Sequence, residues 1–203
     1  MTAVAEKPET RADASRRQIL EIAARLLRAR GYAETSLRDI AAEAGMKAGS
    51  LYYHFASKDE LATEVLRLGV ERVREAVERR LRDLGEGASP ALRVEAAIAA
   101  HLETLLLESD FTSAHIRCFP HAPAEVRRAL AKVRRDYEGV WAKLVDEAAA
   151  SGMLAAGADP RSARLAIIGA LNWSLEWFVR GSDSTDKLAR TIAAAFVCRD
   201  GRH

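Results

Sequence analysis

Caps, glycines and prolines cut this chain into short, separately started helices, and the cuts are closest together between Thr35 and Lys58. Ser36 with Asp39 three residues later is a capping-box pattern: the hydroxyl accepts from an orphan backbone N–H, and the carboxylate suits the positive end of a helix. Leu37, Ile40, Ala41 and Ala44 then recur on one helical face, and Gly45 stands where a left-handed residue ends a helix. Beyond the turn, Leu51 and Phe55 are four residues apart and can pack back on the first helix. Ser57-Lys58-Asp59-Glu60 is a second capping box that opens another helix. The stretch therefore reads as helix, tight turn and second short helix.

With Leu51 and Phe55 turned inward, Lys47, Ser50, Tyr52, Tyr53 and His54 project elsewhere. Almost all of these groups are hydrogen-bond donors, which add little to the stability of a short helix but match phosphate oxygens and base edges in a DNA major groove. Lys47 occupies the place where Ser, Thr or Asp would cap the second helix. A cation there has the wrong sign for a helix N-terminus and costs about 1 kcal/mol, which a polyanion would offset.

The run Gly49-Ser50-Leu51-Tyr52-Tyr53-His54-Phe55, followed by Ser57-Lys58-Asp59-Glu60-Leu61, resembles the helix-turn-helix signature of the TetR/AcrR family of bacterial transcriptional regulators. The likeness covers about Ile19 to Leu61. It implies that Thr35, Ser36, Tyr53, His54 and Lys58 hold phosphates, while Arg38, Lys47, Ser50 and Tyr52 read bases of double-stranded DNA. Many relatives carry Ser or Thr at the position of Lys47, so the family pattern does not fix a base contact there.

The resemblance implies an all-α fold of about nine helices: an N-terminal three-helix reader and a C-terminal bundle that forms a homodimer through its last two helices. The expected divisions are a disordered arm over residues 1–14, the helix-turn-helix domain over 15–57, and an effector-binding and dimerisation domain over 58–203. Length and composition agree, since 203 residues with 49% hydrophobic side chains can bury a sizeable core. Formal charge is only +2, and residues 1–60 carry 10 Lys/Arg against 9 Asp/Glu, so a DNA surface must come from where charges are placed. No long apolar run or secretory signal is present and the two cysteines, Cys118 and Cys198, form no C-x-x-C pattern, so a reducing cytoplasm with no membrane partner is expected.

Outside the reader, helix 1 is expected from about Ser15 to Arg30, and a long helix from Ser57 to a break at Gly85–Pro90. Further helices are expected over about Pro90–Glu108, Phe111–Cys118, Ala124–Ser151 and Asp159–Arg180, and a last one to about Cys198. The segment from Ala166 to Phe178 is apolar on more than one face, and its small residues Ala166, Gly169 and Ala170 would let another helix approach, consistent with self-association. A twofold dimer reading a palindromic operator is the usual arrangement for such a reader.

A regulator also needs an input. His101, Leu106, Phe111, Arg117, Trp141, Trp173 and Trp177 are candidate walls of a ligand cavity, with core packing as the alternative for each apolar side chain and solvent exposure for Arg117. The run Asn172-Trp173-x-x-x-Trp177-Phe178 is similar to relatives that respond to acyl-coenzyme A or other lipid-derived effectors. His115, Cys118 and His121 have a metal-like spacing, but Pro120 interrupts it and no acidic partner is near, so no metal or other cofactor is expected. No H-E-x-x-H, nucleophile elbow or Walker loop supports catalysis. The reading is a ligand-released repressor, with an activator or a helical scaffold or enzyme on the same fold as the alternative.

Overall fold

The computed structural model describes residues 10–198. Ten α-helices make up the described residues: α1 (Arg11–Arg30), α2 (Leu37–Glu43), α3 (Ala48–His54), α4 (Lys58–Leu84), α5 (Pro90–Glu103), α6 (Asp110–Cys118), α7 (Ala124–Ala129), α8 (Ala131–Ala150), α9 (Pro160–Trp173) and α10 (Thr185–Phe196). The all-α expectation holds. One isolated antiparallel bridge, Leu154 to Val197, fastens the end of the described chain to the loop after α8.

Helix starts follow the caps. Ser36, Ser57, Ser89, Asp159 and Ser184 each accept a first-turn backbone N–H, and Pro90 and Pro160 occupy the first turn of their helices. The first helix corrects the expected arm. Thr10 and Asp13 form a reciprocal capping box, so α1 starts at Arg11 instead of near Ser15; the rest of the arm, residues 1–9, lies outside the described residues.

Three other boundaries depart from expectation for tertiary reasons. After α5 the chain forms a π-helical turn over Thr104–Glu108, where Ser113 Oγ donates to the Leu105 carbonyl at 2.7 Å and Arg180 Nε to that of Leu106 at 2.6 Å. The helix expected over Ala124–Ser151 is interrupted at Leu130, which is buried in one core while Trp141, Leu144 and Val145 of α8 are buried in another. Helix α9 stops at Trp173, where the buried Ser174 hydroxyl donates to the Leu171 carbonyl at 2.6 Å and a 3₁₀ turn follows.

Two hydrophobic cores result. One gathers α5, α8, α9 and α10 around Ile98, Leu102, Trp141, Leu144, Ile167 and Leu171. The other holds the reader, and its membership does not stop at residue 57. Ile19, Leu27, Ile40, Leu51 and Phe55 are closed in by Leu61, Val65 and Leu66 of α4, by Phe111, Ala114 and Cys118 of α6, and by Val126 and Leu130. Helix α6 thus belongs in packing terms to the core of the N-terminal helices.

The close approach of α4 and α6 is made possible by Gly69. A Cβ there would lie 2.3 Å from the Phe111 carbonyl oxygen and 3.0 Å from His115 Cβ, so only glycine fits without moving a backbone. The Thr112 hydroxyl donates to the Gly69 carbonyl at 3.0 Å and secures the crossing. Gly139, within α8, is the contrast: an added Cβ meets nothing within 4 Å. Gly69→Ala should lower the free energy of urea unfolding by roughly 1–3 kcal/mol through overpacking, whereas Gly139→Ala should raise it by roughly 0.5–1 kcal/mol.

Candidate functional site

Apart from Thr35, the nucleic-acid candidates lie at the protein surface. Lys47 is the N-cap of α3 and makes no side-chain capping bond; Ser50 and Tyr52 are exposed, and Tyr53 is 84% exposed. His54 meets Tyr53 edge to face at 5.4 Å. Leu51 and Phe55, buried at 0% and 1% exposure, hold α3 against α1 and α2 as the spacing predicts. An open groove lined by Ser36, Arg38, Tyr52 and Lys58 brings the start of α2 beside the end of α3.

Charge on this face is sorted by pairing. Asp39 is tied to the Ser36 hydroxyl and amide at 2.6 and 3.0 Å, which hold its carboxyl below the usual range. Glu43 pairs with Arg25, Glu60 accepts from the Ala56 amide, and Asp59 accepts from the Tyr32 hydroxyl. Arg38 and Lys47, in contrast, have no ion pair or hydrogen bond among the described residues. Lys58 sits over the Tyr32 ring at 4.2 Å and donates to the Ala33 carbonyl at 3.4 Å, with ammonium hydrogens left for further acceptors. The unneutralised cations therefore dominate a face whose net charge is small.

Thr35 departs from its implied role. It is 1% exposed, and its hydroxyl donates to the Gly31 carbonyl at 2.8 Å, so it shapes the turn before α2 and has no hydroxyl to offer a phosphate.

Of the ligand candidates, His101 and Trp141 line a cavity of about 60 Å³ between α4, α5, α6, α8 and α9. The others do not. Leu106 and Phe111 are buried core, with Arg72 over the Phe111 ring at 3.8 Å. Arg117 is exposed and reaches the Arg28 carbonyl at 3.3 Å and Glu176 at 3.6 Å. Trp173 and Trp177, at 67% and 48% exposure, face outward. Helical periodicity had placed these indoles on an apolar face without saying what covers it. Leu165, Gly169 and Trp173 form an uncovered stripe on α9, with Trp177 just beyond the turn that follows it, and a Cβ added at Gly169 would meet nothing of its own chain within 4 Å.

The cavity takes most of its polar character from residues that the sequence did not single out as ligand contacts: His115, Arg134, Tyr137 and Asn172. Tyr137 Oη lies 2.8 Å from His101 Nδ1. His115 Nδ1 must donate to the Leu66 carbonyl at 3.0 Å, which leaves Nε2 to accept from Arg134 at 2.9 Å and fixes a neutral tautomer. With both nitrogens engaged, and Cys118 Sγ donating to the Leu27 carbonyl at 3.4 Å, His115 and Cys118 of the H-x-x-C-x-x-H run are used for packing, while His121 is exposed. Three buried polar atoms around the cavity have no partner: His101 Nε2, Trp141 Nε1 and Asn172 Oδ1. Such orphans are costly unless something binds them. Among the described residues, no helix is long and apolar enough to cross a membrane.

A family model for the tetracyclin repressor-like C-terminal domain matches residues 87–198, more than half of the chain, and the model of bacterial regulatory proteins of the tetR family matches 19–65. The chain belongs to the TetR family. This is a family of ligand-responsive, DNA-binding transcriptional regulators and not of enzymes. The TetR chain described here is 22% identical over 186 residues to the fatty acid metabolism regulator protein of Bacillus subtilis (strain 168), covering 92% of this chain and 94% of that one. It is 52% identical over 52 residues, 26% of each chain, to the transcriptional repressor KstR2 of Mycobacterium tuberculosis. The crystal structure of AibR in complex with isovaleryl coenzyme A and operator DNA superposes with a TM-score of 0.79 at 24% identity, over 89% of this chain and 97% of that one.

Two outcomes follow from the geometry of this TetR-family chain. Lys47→Ser supplies the missing cap of α3 and should stabilise the fold by about 1 kcal/mol in urea unfolding. Burial pushes His101 down to about 4, and burial aided by Arg134 pushes His115 down to about 3, against the opposing Leu66 carbonyl. Because the unfolded chain takes up these protons near 6.5 and the folded one does not, their contribution is complete above pH 6.5 and declines as pH falls toward 4 and 3. His101→Gln should flatten the upper part of that decline in thermal melts taken from pH 7 to 4.

Proposed function

We propose that this TetR-family regulator is a repressor that occupies a palindromic operator as a homodimer and is released by an acyl thioester. The observation that carries the DNA reading is an exposed α3 whose Lys47 is uncapped and unpaired while neighbouring carboxylates are tied up internally. In this reading α3 enters the major groove, with Arg38, Lys47, Ser50 and Tyr52 toward bases and Ser36, Tyr53, His54 and Lys58 toward phosphates. The dimer forms by pairing of the uncovered α9 stripe, together with α10, against a second copy.

Support for an acyl effector comes from the orphaned polar atoms around the cavity and from two similar proteins. One is described as a fatty acid metabolism regulator, and the other was solved with isovaleryl coenzyme A and operator DNA. The cavity volume of about 60 Å³ is roughly that of two liquid water molecules. A ligand entering it must part the helices. Helix α6 is the element through which that motion reaches the reader, because His115 joins it to α4 and α8 while Phe111, Ala114 and Cys118 fill the reader core. Ligand would then prefer a spacing of the two readers that the operator does not, which is the differential affinity release requires.

Selection from random duplexes with the full-length protein should enrich a palindrome. On that duplex, Lys47→Ser should weaken binding and relax the preference at particular bases, and Tyr53→Ala should weaken binding to all sequences alike. Isovaleryl coenzyme A should dissociate the wild-type complex. Recovery of no palindrome sinks the operator reading, and an operator complex indifferent to short- and long-chain acyl thioesters sinks the effector.

A further inference from the structure

Beside the cavity lies an open groove of about 590 Å³, of the size that small-molecule sites have. Arg30 and Gly31 at the end of α1 form one side, Arg117 and His121 another, and Trp173 of α9 the third. Ile116 and Asn172 line both the groove and the cavity, so the two spaces share a wall. The groove is basic: Glu176 is its single carboxylate and is ion-paired with Arg117, while Arg30 has no ion pair or hydrogen bond among the described residues. On the far side of the shared wall stand the orphaned His101 Nε2 and Trp141 Nε1, with Asn172 Oδ1 in the wall itself.

We infer that groove and cavity form one composite site for a thioester whose thiol carrier bears a phosphorylated nucleotide, the chemistry of coenzyme A. The inference rests on the acyl-thioester reading above and adds where the carrier binds. The cavity is far too small for a nucleotide, so only the acyl group and thioester belong there. Trp141 N–H can donate to the thioester carbonyl, and Asn172 Oδ1 can accept an amide N–H of the carrier as it passes the shared wall. The phosphates fall among Arg30, Arg117 and His121, since guanidinium groups hold phosphate by paired charged hydrogen bonds. The basic wall comes from α1, α6 and the turn after it and not from α9, so it borders the proposed pairing stripe and is not part of it. Because Arg30 belongs to α1, the carrier would grip the reader directly, in addition to whatever the acyl group does through α6.

The test is calorimetry on the full-length protein with three probes: isovaleryl coenzyme A, coenzyme A itself, and the isovaleryl thioester of N-acetylcysteamine, which keeps the acyl group but has no nucleotide. Wild type should bind isovaleryl coenzyme A most tightly. Arg30→Ala, a substitution that removes no hydrogen bond or ion pair of the fold, should weaken isovaleryl coenzyme A and coenzyme A about tenfold and leave the N-acetylcysteamine thioester unchanged. Arg117→Gln should weaken the same two probes, with melting curves confirming that each variant is folded. Unchanged affinity for isovaleryl coenzyme A in both variants overturns the composite site and leaves the effector reading standing. Equal wild-type affinity for coenzyme A and its isovaleryl thioester supports the groove and removes the acyl reading. Failure of wild type to bind either thioester overturns both.

Discussion

The crossing of α4 over α6 at Gly69 is the constraint on which the arrangement rests. A single absent methyl group lets two backbones come close enough for Thr112 to bond the Gly69 carbonyl and for His115 to bond that of Leu66. From this crossing α6 reaches inward to the reader through Phe111, Ala114 and Cys118, and sideways to α8 through Arg134. Surface ion pairs such as Arg25 with Glu43 are worth little by comparison, being exposed to water and screened by salt.

Around that crossing, polar groups are used in two different ways. In the reader, carboxylates are consumed by caps, so a face with nearly balanced charge still presents free cations. In the cavity, His115 and Arg134 satisfy each other and the Leu66 carbonyl, whereas His101, Trp141 and Asn172 each retain one unbonded atom. The satisfied group fixes the packing of three helices. The unsatisfied group offers a recognition surface at a cost to the unliganded fold.

Much of the helical layout was legible because its signals are local. Ser36 with Asp39, Gly45 and Asp159 before Pro160 act within one turn, and each does in the structure what its spacing implies. Ser57 caps the Glu60 amide as expected, but the Glu60 carboxylate accepts from the Ala56 amide and not from that of Ser57, so the second capping box is only half formed. Thr10 with Asp13 carried the same signal and was overlooked because the surrounding residues lack apolar periodicity. The cavity was legible only in part. His101 and Trp141 stood out as a polar group on a leucine-rich face and as a large aromatic. Tyr137, Arg134, His115 and Asn172 come together only when α6, α8 and α9 pack, and no periodicity within one helix reports that. The same limit explains Trp173 and Trp177, since an apolar stripe looks alike whether its own chain or a second one covers it.

The shared core also bears on how such proteins can be recombined. Severing the chain after residue 57 and joining the first part to a foreign sensor would strip Leu51 and Phe55 of the neighbours that α4 and α6 supply. A workable graft has to carry α6 along, although it lies some fifty residues downstream of the seam. Specificity for DNA and responsiveness to a ligand are therefore inherited together in this chain, and a new input is more easily reached by recarving the existing chamber than by exchanging modules.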